Sequence, residues 1–172
     1  GFGLMLAARF LGVPLPERIA GSDFVWDLAR LAAEHGYSIA LYGGKNGVAE
    51  KAAEKLKDKN PKLKIVNLEA NPDILLVALG HGKQEKWIAQ HLAELPSVKV
   101  AMGVGGVFDF LAGRVRRAPK IFRALGLEWF WRLTLQPWRI LRIYRAVIVF
   151  PLLLLRPALL SIQKQVWAET GF

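Results

Sequence analysis

The chain has 172 residues, 53% hydrophobic and 22% charged, which excludes a disordered polypeptide and is enough for one packed domain with an appendage. It has no cysteine, which excludes disulfides and thiolate metal sites. The net charge of +10 is unevenly spread, because residues 1–100 carry 13 basic and 11 acidic side chains and residues 101–172 carry 11 and 3. An acidic partner, whether nucleic acid, anionic lipid or a phosphorylated substrate, should therefore meet the C-terminal part.

Three helices are predicted in the N-terminal part. The first covers residues 22–36, with Ser22 or Asp23 as its N-cap. Three apolar side chains share one of its faces: Phe24, Leu28 and Leu31. Good helix formers predict a second helix over 47–60, and a third covers 83–95. The third helix is predicted to turn three side chains inward: Trp87, Ile88 and Leu92.

Four strands alternate with these helices. Apolar runs predict them at 37–44, 62–66, 73–80 and 98–105. The run at 73–80 is uninterrupted, which is typical of a strand buried on both faces. The alternation predicts an α/β fold over the first 112 residues, a parallel sheet with helices on both sides.

One connection departs from this pattern. Only residues 67–72 separate the second and third predicted strands. A right-handed crossover between parallel strands usually needs a dozen or more residues. Either these two strands are not neighbours in the usual way, or a crossover has been lost.

The composition changes after Gly113 to helical, aromatic and basic segments. We therefore predict two domains, an α/β core over 1–113 and a basic helical appendage over 114–172. The apolar run Ala146–Leu155 contains Pro151 and is too short to span a bilayer. Trp and Phe side chains beside Arg suit a membrane interface, and the alternative is a helix docked on the sheet or on a partner subunit.

Glycine-rich turns follow three of the predicted strands. Ligands of open α/β sheets bind at the carboxyl ends of the strands, so turns at 42–47, 79–82 and 103–106 predict a ligand-binding edge. The first turn leads into a helix, and its backbone N–H groups can bind a phosphate. Five glycines are candidate ligand contacts: Gly43, Gly44, Gly103, Gly105 and Gly106. The alternative is that each segment is only a tight turn.

Polar side chains beside these turns each have two interpretations. Gln84 either hydrogen-bonds a ligand at the sheet edge or, with Glu85, serves the first turn of a helix. Asp109, between two phenylalanines, either contacts a ligand or caps a helix. His81 is a candidate acid or base, although a lone loop histidine is usually only solvated. No acidic or histidine cluster has metal-ligand spacing, so neither a metal nor a cofactor is predicted.

Five segments, in this order along the chain, resemble the WecG/TagA/CpsF family of glycosyltransferases. They are ERIAGSD, LYGGKNGVAEKAAEKL, DILLVALGHGKQEKWI, GVGGVFDFLAGRVRRAP and GLEWFWRLTLQPWRILRIY, and the resemblance covers roughly residues 1–150. It implies a Rossmann-like core, an inverting transfer without an essential metal, and a basic C-terminal appendage that meets the membrane and closes the site.

The resemblance also implies a reaction and its location. Members transfer an N-acetylmannosamine-type sugar from a UDP donor to a lipid-linked GlcNAc-diphosphate-undecaprenol acceptor. They serve the synthesis of wall teichoic acid, enterobacterial common antigen and capsule. The expected partners are therefore a UDP-sugar, the lipid-linked diphosphate acceptor and an anionic membrane, with the protein peripheral on the cytoplasmic face of the bacterial inner membrane. A homo-oligomer is left open.

Specific residues match the family's motifs. Arg18 matches an active-site arginine, and Gln84 matches a glutamine near the reacting sugar, so both are expected to be catalytic. Asp109 matches an aspartate that contacts the nucleotide. Three appendage residues match arginines expected to approach the diphosphates: Arg132, Arg139 and Arg142.

Three departures from the family pattern are visible. Gly1 matches the glycine of the family's Asp-Gly pair, so its aspartate, the expected catalytic base, would precede this chain, which we expect to be truncated. The short connection at 67–72 implies an internal deletion, and Gly82 replaces the usual proline. A non-catalytic membrane-surface binding module is therefore the alternative function. Nucleic-acid binding is disfavoured, because apolar residues interleave the arginines too densely.

Overall fold

The structure, a computed structural model, describes residues 5, 8–9, 11–14, 19–119, 121–122, 125–150 and 152–153. The chain divides into two compact units. The core unit is Ile19–Arg117, and the appendage unit combines Gly1–Arg18 with Ala118–Phe172.

The core unit contains a sheet of four parallel strands in the order β2-β1-β3-β4. The strands are β1 Ser38–Gly43, β2 Lys64–Ile65, β3 Ile74–Ala78 and β4 Val100–Gly103. All five residues of β3 are buried, as its uninterrupted apolar run predicted. The predicted α/β class with an all-parallel sheet is confirmed.

Helices cover both faces of this sheet. They are α1 Gly21–His35, α2 Val48–Lys59, α3 Lys83–His91 and α4 Val107–Leu111, with short 3-10 turns at Leu68–Ala70 and Leu92–Glu94. One face packs with α1, α2 and α4 into a cluster that includes Ile39, Leu76 and Phe108. On the other face, Trp87 and Ile88 of α3 pack against the strands, as predicted. Leu92 was predicted to face inward but is exposed, because α3 gives way to a 3-10 turn there.

The buried face of α1 differs from the predicted one. Val25, Ala29 and Ala32 are fully buried, whereas Phe24 and Leu31 are 37% and 43% exposed. Small side chains at the centre of the interface let the helix axis approach the sheet closely, so the larger side chains lie at its margins. The prediction chose the larger apolar residues, which lie one position away from the packed ones, and only Leu28 of that set packs against the core cluster.

The start of α1 also differs from its predicted cap. The helix begins at Gly21 after Ala20, and neither Ser22 nor Asp23 caps it by a side-chain hydrogen bond. Asp23 instead forms a two-pronged ion pair with Arg117. This pair ties the first turn of α1 to the chain segment that follows α4.

The short connection between β2 and β3 is explained by their register. The two strands are not neighbours, because both lie beside β1. Ile65 and Ile74 both pair with Ile39, so β2 ends at the level where β3 begins. The connection therefore crosses only two strand spacings, about 9.6 Å, and needs no return along the strand axis. The first of the two alternatives drawn from the sequence is confirmed.

A single carboxylate joins the amino ends of three strands. Asp73, just before β3, accepts hydrogen bonds from the backbone N–H and hydroxyl of Ser38 at 2.9 and 2.8 Å and from Lys99 Nζ at 2.8 Å. Ser38 begins β1 and Lys99 precedes β4. These three residues form the carboxylate clasp. The Lys99 hydrogen bond, followed by those from Ser38, holds the pKa of Asp73 well below its usual range.

The appendage unit is helical. It contains α5 Glu128–Leu135, a 3-10 turn at Pro137–Arg139, α6 Ile140–Tyr144 and a π-helical turn at Arg145–Val149. Trp138 and Leu141 are 72% and 71% exposed. Within the described ranges, no helix combines the length and apolarity needed to cross a bilayer.

We expect Asp73→Asn to remove the acid dependence of stability that the carboxylate clasp creates. Because the folded pKa of Asp73 lies below the unfolded value of about 3.9, its contribution is complete above about pH 5. That contribution is lost as the pH falls through the unfolded value towards the folded one. Urea unfolding midpoints should therefore fall more steeply below about pH 5 in the wild type than in the variant. Asp58→Asn, on the exposed side of α2, is the control, and equal slopes for wild type and Asp73→Asn would contradict the expectation.

Candidate functional site

The carboxyl ends of three adjacent strands lie at one level of the sheet. Gly43 of β1 pairs with Ala78 of β3, and Val77 of β3 pairs with Gly103 of β4. The turns at 43–47, 79–82 and 104–106 therefore leave the sheet side by side. The structure thus brings together the three glycine turns that the sequence placed at one edge, here named the carboxyl edge.

The first turn is packed tightly against β3. Gly43 and Gly44 have φ values of +93° and +83°, in the left-handed region that favours glycine. A Cβ on Gly44 would lie 2.9 Å from Val48 Cγ1, and one on Gly43 would lie 3.0 Å from the Ala78 carbonyl group. The Gly44 N–H donates to the Ala78 oxygen at 3.0 Å. Packing alone therefore requires both glycines, and their contact with a ligand stays a prediction.

Gln84 links the second turn to the third. Its Oε1 accepts a hydrogen bond from the Gly105 N–H at 3.0 Å, and its Nε2 donates to Glu85 Oε1 at 3.1 Å. With 7% of its surface exposed, Gln84 is the one buried polar side chain in the described part of the chain. A Cβ on Gly103 would come within 2.4 Å of Gln84 Nε2, so the amide occupies the space that a larger residue would need.

Glu85 completes a network around the second turn. Its Oε2 accepts the Gly82 N–H at 2.7 Å, which is the capping interaction expected of a first-turn acid. A hydrogen bond from its own backbone N–H, together with those from Gln84 and Gly82, lowers the pKa of Glu85. His81 lies 3.8 Å from Glu85 Oε1 with its side chain 87% exposed, so it is a solvated loop residue in this structure.

Asp109 lies on α4 directly after the third turn. Phe108 and Leu111 are buried against the core, and Asp109, one residue after Phe108, is half-buried on another side of the helix. No hydrogen bond or ion pair joins its carboxylate to any residue within the described ranges. A carboxylate left without a protein donor beside the carboxyl edge retains its full capacity to accept hydrogen bonds from a ligand.

The predicted arginines are not part of the core unit. Arg18 lies outside the described residues. Arg132 is half-buried in α5, while Arg139 ends the 3-10 turn and Arg142 lies in α6. The predicted arrangement of these three on one side of a helix or helix pair stays a prediction, because the side chains of the last two are outside the description.

Two arrangements were missed by sequence reasoning. Arg114 donates to the carbonyl oxygens of Lys45 and Asn46, which are 69 and 68 residues away in sequence. The rings of Tyr42, Trp87 and His91 form a stack with centroids 4.3 and 4.4 Å apart. The i, i+4 spacing of Trp87 and His91 on one helix was a visible signal for part of the stack. No local pattern signals a contact of Arg114 across the fold.

The sequence matches the model of the "Glycosyl transferase WecG/TagA/CpsF family" over residues 1–70 and 68–164. The chain belongs to this family. The family match covers the whole of the core unit and extends through α6 of the appendage unit. Its two parts meet at residues 68–70, inside the short connection between β2 and β3.

Curated relatives carry one name, N-acetylglucosaminyldiphosphoundecaprenol N-acetyl-beta-D-mannosaminyltransferase. The protein from Bacillus subtilis (strain 168) is 36% identical over 155 residues, in a match that covers 81% of this chain and 60% of the relative. The protein from Bacillus spizizenii is 32% identical, in a match that covers 81% of this chain and 61% of the relative. The protein from Staphylococcus aureus (strain MRSA252) is 34% identical, in a match that covers 77% of this chain and 58% of the relative. The chain thus spans about three fifths of the length of these relatives.

We expect Gly103→Ala to destabilise the core unit by about 1–3 kcal/mol, because the new methyl group must displace the buried Gln84 amide and break its bond to Gly105. Gly21→Ala is the control, since a Cβ there meets Val107 at an ordinary 3.5 Å. Urea unfolding of Gly103→Ala, of Gln84→Ala and of the double variant gives the coupling free energy between the two positions. The smaller residue at 84 should relieve the clash, so additive single-variant effects would contradict this account.

Proposed function

We propose that this protein transfers an N-acetylmannosamine-type sugar from a UDP donor to an undecaprenyl-diphosphate-linked GlcNAc acceptor. It is thus proposed to be an inverting hexosyltransferase of cell-wall teichoic acid or related surface-polysaccharide synthesis. The observation that carries the proposal is the carboxyl edge, where three glycine turns leave adjacent parallel strands. Membership of the glycosyltransferase family and the relatives' shared name support the choice of substrates.

The donor is proposed to bind at the carboxyl edge. The first turn opens α2, a twelve-residue helix whose N-terminal dipole and unpaired N–H groups favour a phosphate. The Asp109 carboxylate, which has no hydrogen-bond partner within the described residues, is proposed to accept hydrogen bonds from hydroxyl groups of the UDP-sugar or from its uracil ring. Gly105 and Gly106 are proposed to let the donor approach the backbone of the third turn closely, and Gly103 to make room for the Gln84 amide beside it.

Gln84 is proposed to act in two ways. Its hydrogen bonds to Gly105 and Glu85 hold the second and third turns in place. The Gln84 amide nitrogen has two N–H donors, and Glu85 takes one of them. The other is the group proposed to reach the reacting sugar. Arg18 is proposed to act on the same sugar.

The proposed reaction is a direct displacement at the anomeric carbon. The acceptor hydroxyl attacks, the bond to the UDP oxygen breaks, and a base removes the hydroxyl proton, which contributes about 10²–10⁴ in rate. UDP leaves with an additional negative charge on its diphosphate. Cationic side chains and backbone N–H groups placed in advance stabilise that charge as it develops. An arginine-rich protein suits this requirement.

The appendage unit is proposed to bind an anionic membrane on its cytoplasmic face and to contact the acceptor diphosphate. Trp138, Leu141 and Tyr144 are exposed in the segment that carries Arg139 and Arg142. Aromatic and aliphatic side chains beside arginines bind the headgroup layer, where apolar and phosphate groups meet. The reacting end of a diphosphate lipid lies at that depth.

We expect the 172 residues preceded by an aspartate, the family's expected base, to transfer labelled N-acetylmannosamine from its UDP conjugate to a synthetic GlcNAc-diphosphate lipid, and the 172 residues alone to transfer little or none. Calorimetry should detect UDP binding, which Asp109→Ala should weaken by about 1–3 kcal/mol, as expected for a lost hydrogen bond to a polar group. Asp27→Ala, in α1, is a control of equal charge. UDP binding without transfer, even when an aspartate precedes Gly1, would support the alternative of a non-catalytic binding module, and unchanged affinity in Asp109→Ala would remove Asp109 from the site.

We expect replacement of Arg132, Arg139 and Arg142 by Gln to weaken binding to anionic vesicles by a few kcal/mol, about 1 kcal/mol per residue. The loss should be larger at low salt, because screening weakens the attraction. Sedimentation with vesicles containing phosphatidylglycerol measures the effect. Lys51, Lys55 and Lys57 of α2 changed to Gln form a control of equal charge. Equal losses in both triple variants would assign the binding to net charge and not to the appendage unit.

A further inference from the structure

We propose that Arg114 is a positioning residue for the donor, because it sets the direction of the backbone N–H groups in the first turn, residues 43–47. The inference rests on the proposed function, since it assigns the donor diphosphate to this turn. Arg114 follows α4 and reaches the turn between β1 and α2 across the fold. It therefore couples the segment after Asp109 to the first turn of the carboxyl edge.

The Arg114 guanidinium holds two successive carbonyl groups. Its Nη1 donates to the Lys45 oxygen at 3.1 Å and its Nη2 to the Asn46 oxygen at 2.5 Å. A planar guanidinium presents its N–H groups as a rigid fork, so two bonds fix the orientation of both peptide groups at once. A lysine ammonium lacks this fork, so it cannot fix the orientation of both peptide planes in the same way.

The two bonds also fix the directions of the N–H groups that follow the bonded carbonyls. In a trans peptide the C=O and the following N–H point in opposite directions. Because the Lys45 and Asn46 carbonyls point at Arg114, the N–H groups of Asn46 and Gly47 point away from it. Within the described residues neither N–H has an acceptor. Both are therefore directed as a pair towards an external anion such as a diphosphate.

The backbone of this turn needs an external restraint. Asn46 and Gly47 have φ values of +56° and +71°, so two consecutive residues are left-handed. Asparagine tolerates this region better than most residues but still prefers others. Without the two Arg114 bonds, the peptide planes between Lys45 and Gly47 would populate other orientations, and an incoming diphosphate would have to order them.

The chain that follows Arg114 is anchored in the core unit. The next residue, Val115, is buried, and its N–H donates to the Asp109 carbonyl at 3.1 Å. Two residues further on, Arg117 forms the two-pronged pair with Asp23 of α1. The Arg114 backbone is thus anchored in the core unit, so its exposed guanidinium meets the turn from a fixed base.

The test separates positioning from simple attraction. Positioning predicts that Arg114→Ala weakens UDP binding about tenfold, and that the ratio to the wild type is the same at about 50 and about 500 mM salt. Direct attraction to phosphate predicts a ratio that falls towards one at high salt. Arg114→Lys, which keeps the charge, should be nearly as weak as Arg114→Ala. Arg30→Ala, which removes an exposed arginine of α1, is the control and should bind UDP like the wild type.

Amide spectra of the free protein provide the second readout. Asn46 and Gly47 resonances should move in Arg114→Ala, and those of the sheet should not, which also verifies that the variant is folded. If the variant fails to fold, Arg114→Lys carries the same comparison. Wild-type affinity in both Arg114 variants, or a loss abolished by salt, would overturn the positioning proposal alone. Absence of UDP binding by the wild type would overturn the proposed function and this inference together.

Discussion

The pairing of β3 with β1 and β4 is the constraint on which the rest of the core unit depends. β3 is buried along its whole length and pairs with a strand on each side. A parallel strand in this position needs helices on both faces, because its backbone and side chains are shielded from water only when both are covered. Its register also aligns the strand ends, so the clasp at one edge and the glycine turns at the other are consequences of the same ladder.

The two edges of the sheet have opposite characters. At the amino edge, the Asp73 carboxylate accepts hydrogen bonds from Ser38 and Lys99 and therefore has little capacity to accept others. At the carboxyl edge, side chains of the core unit form hydrogen bonds with the backbone of the turns: Gln84 bonds the third turn and Arg114 the first. The N–H groups of Asn46 and Gly47 and the carboxylate of Asp109 have no partners among the described residues. Apart from Gln84, which is proposed to do both, the residues that support the turns differ from those that face the ligand, a division that suits a pre-organised site.

The proposed reaction fits this division. Glycosyl transfer from a nucleotide donor needs fixed dipoles where the leaving diphosphate gains charge, and it also needs access to a lipid-linked acceptor. In the proposed site, the turns held at the carboxyl edge of the parallel sheet supply these dipoles. The helical appendage unit, with exposed aromatic and aliphatic side chains such as Trp138 and Leu141, has the composition that the proposed membrane binding needs.

The sequence by itself determined the strands, their parallel class, the glycine turns and the family, because these depend on local periodicity and on ordered motifs. It did not determine which face of α1 is buried, since close packing selected Val25, Ala29 and Ala32 over the larger Phe24 and Leu31. It left the short connection ambiguous, because only the register of Ile65 and Ile74 on Ile39 removes the need for a long crossover. The Arg114 contact was decided by tertiary structure alone, because it joins residues almost seventy positions apart.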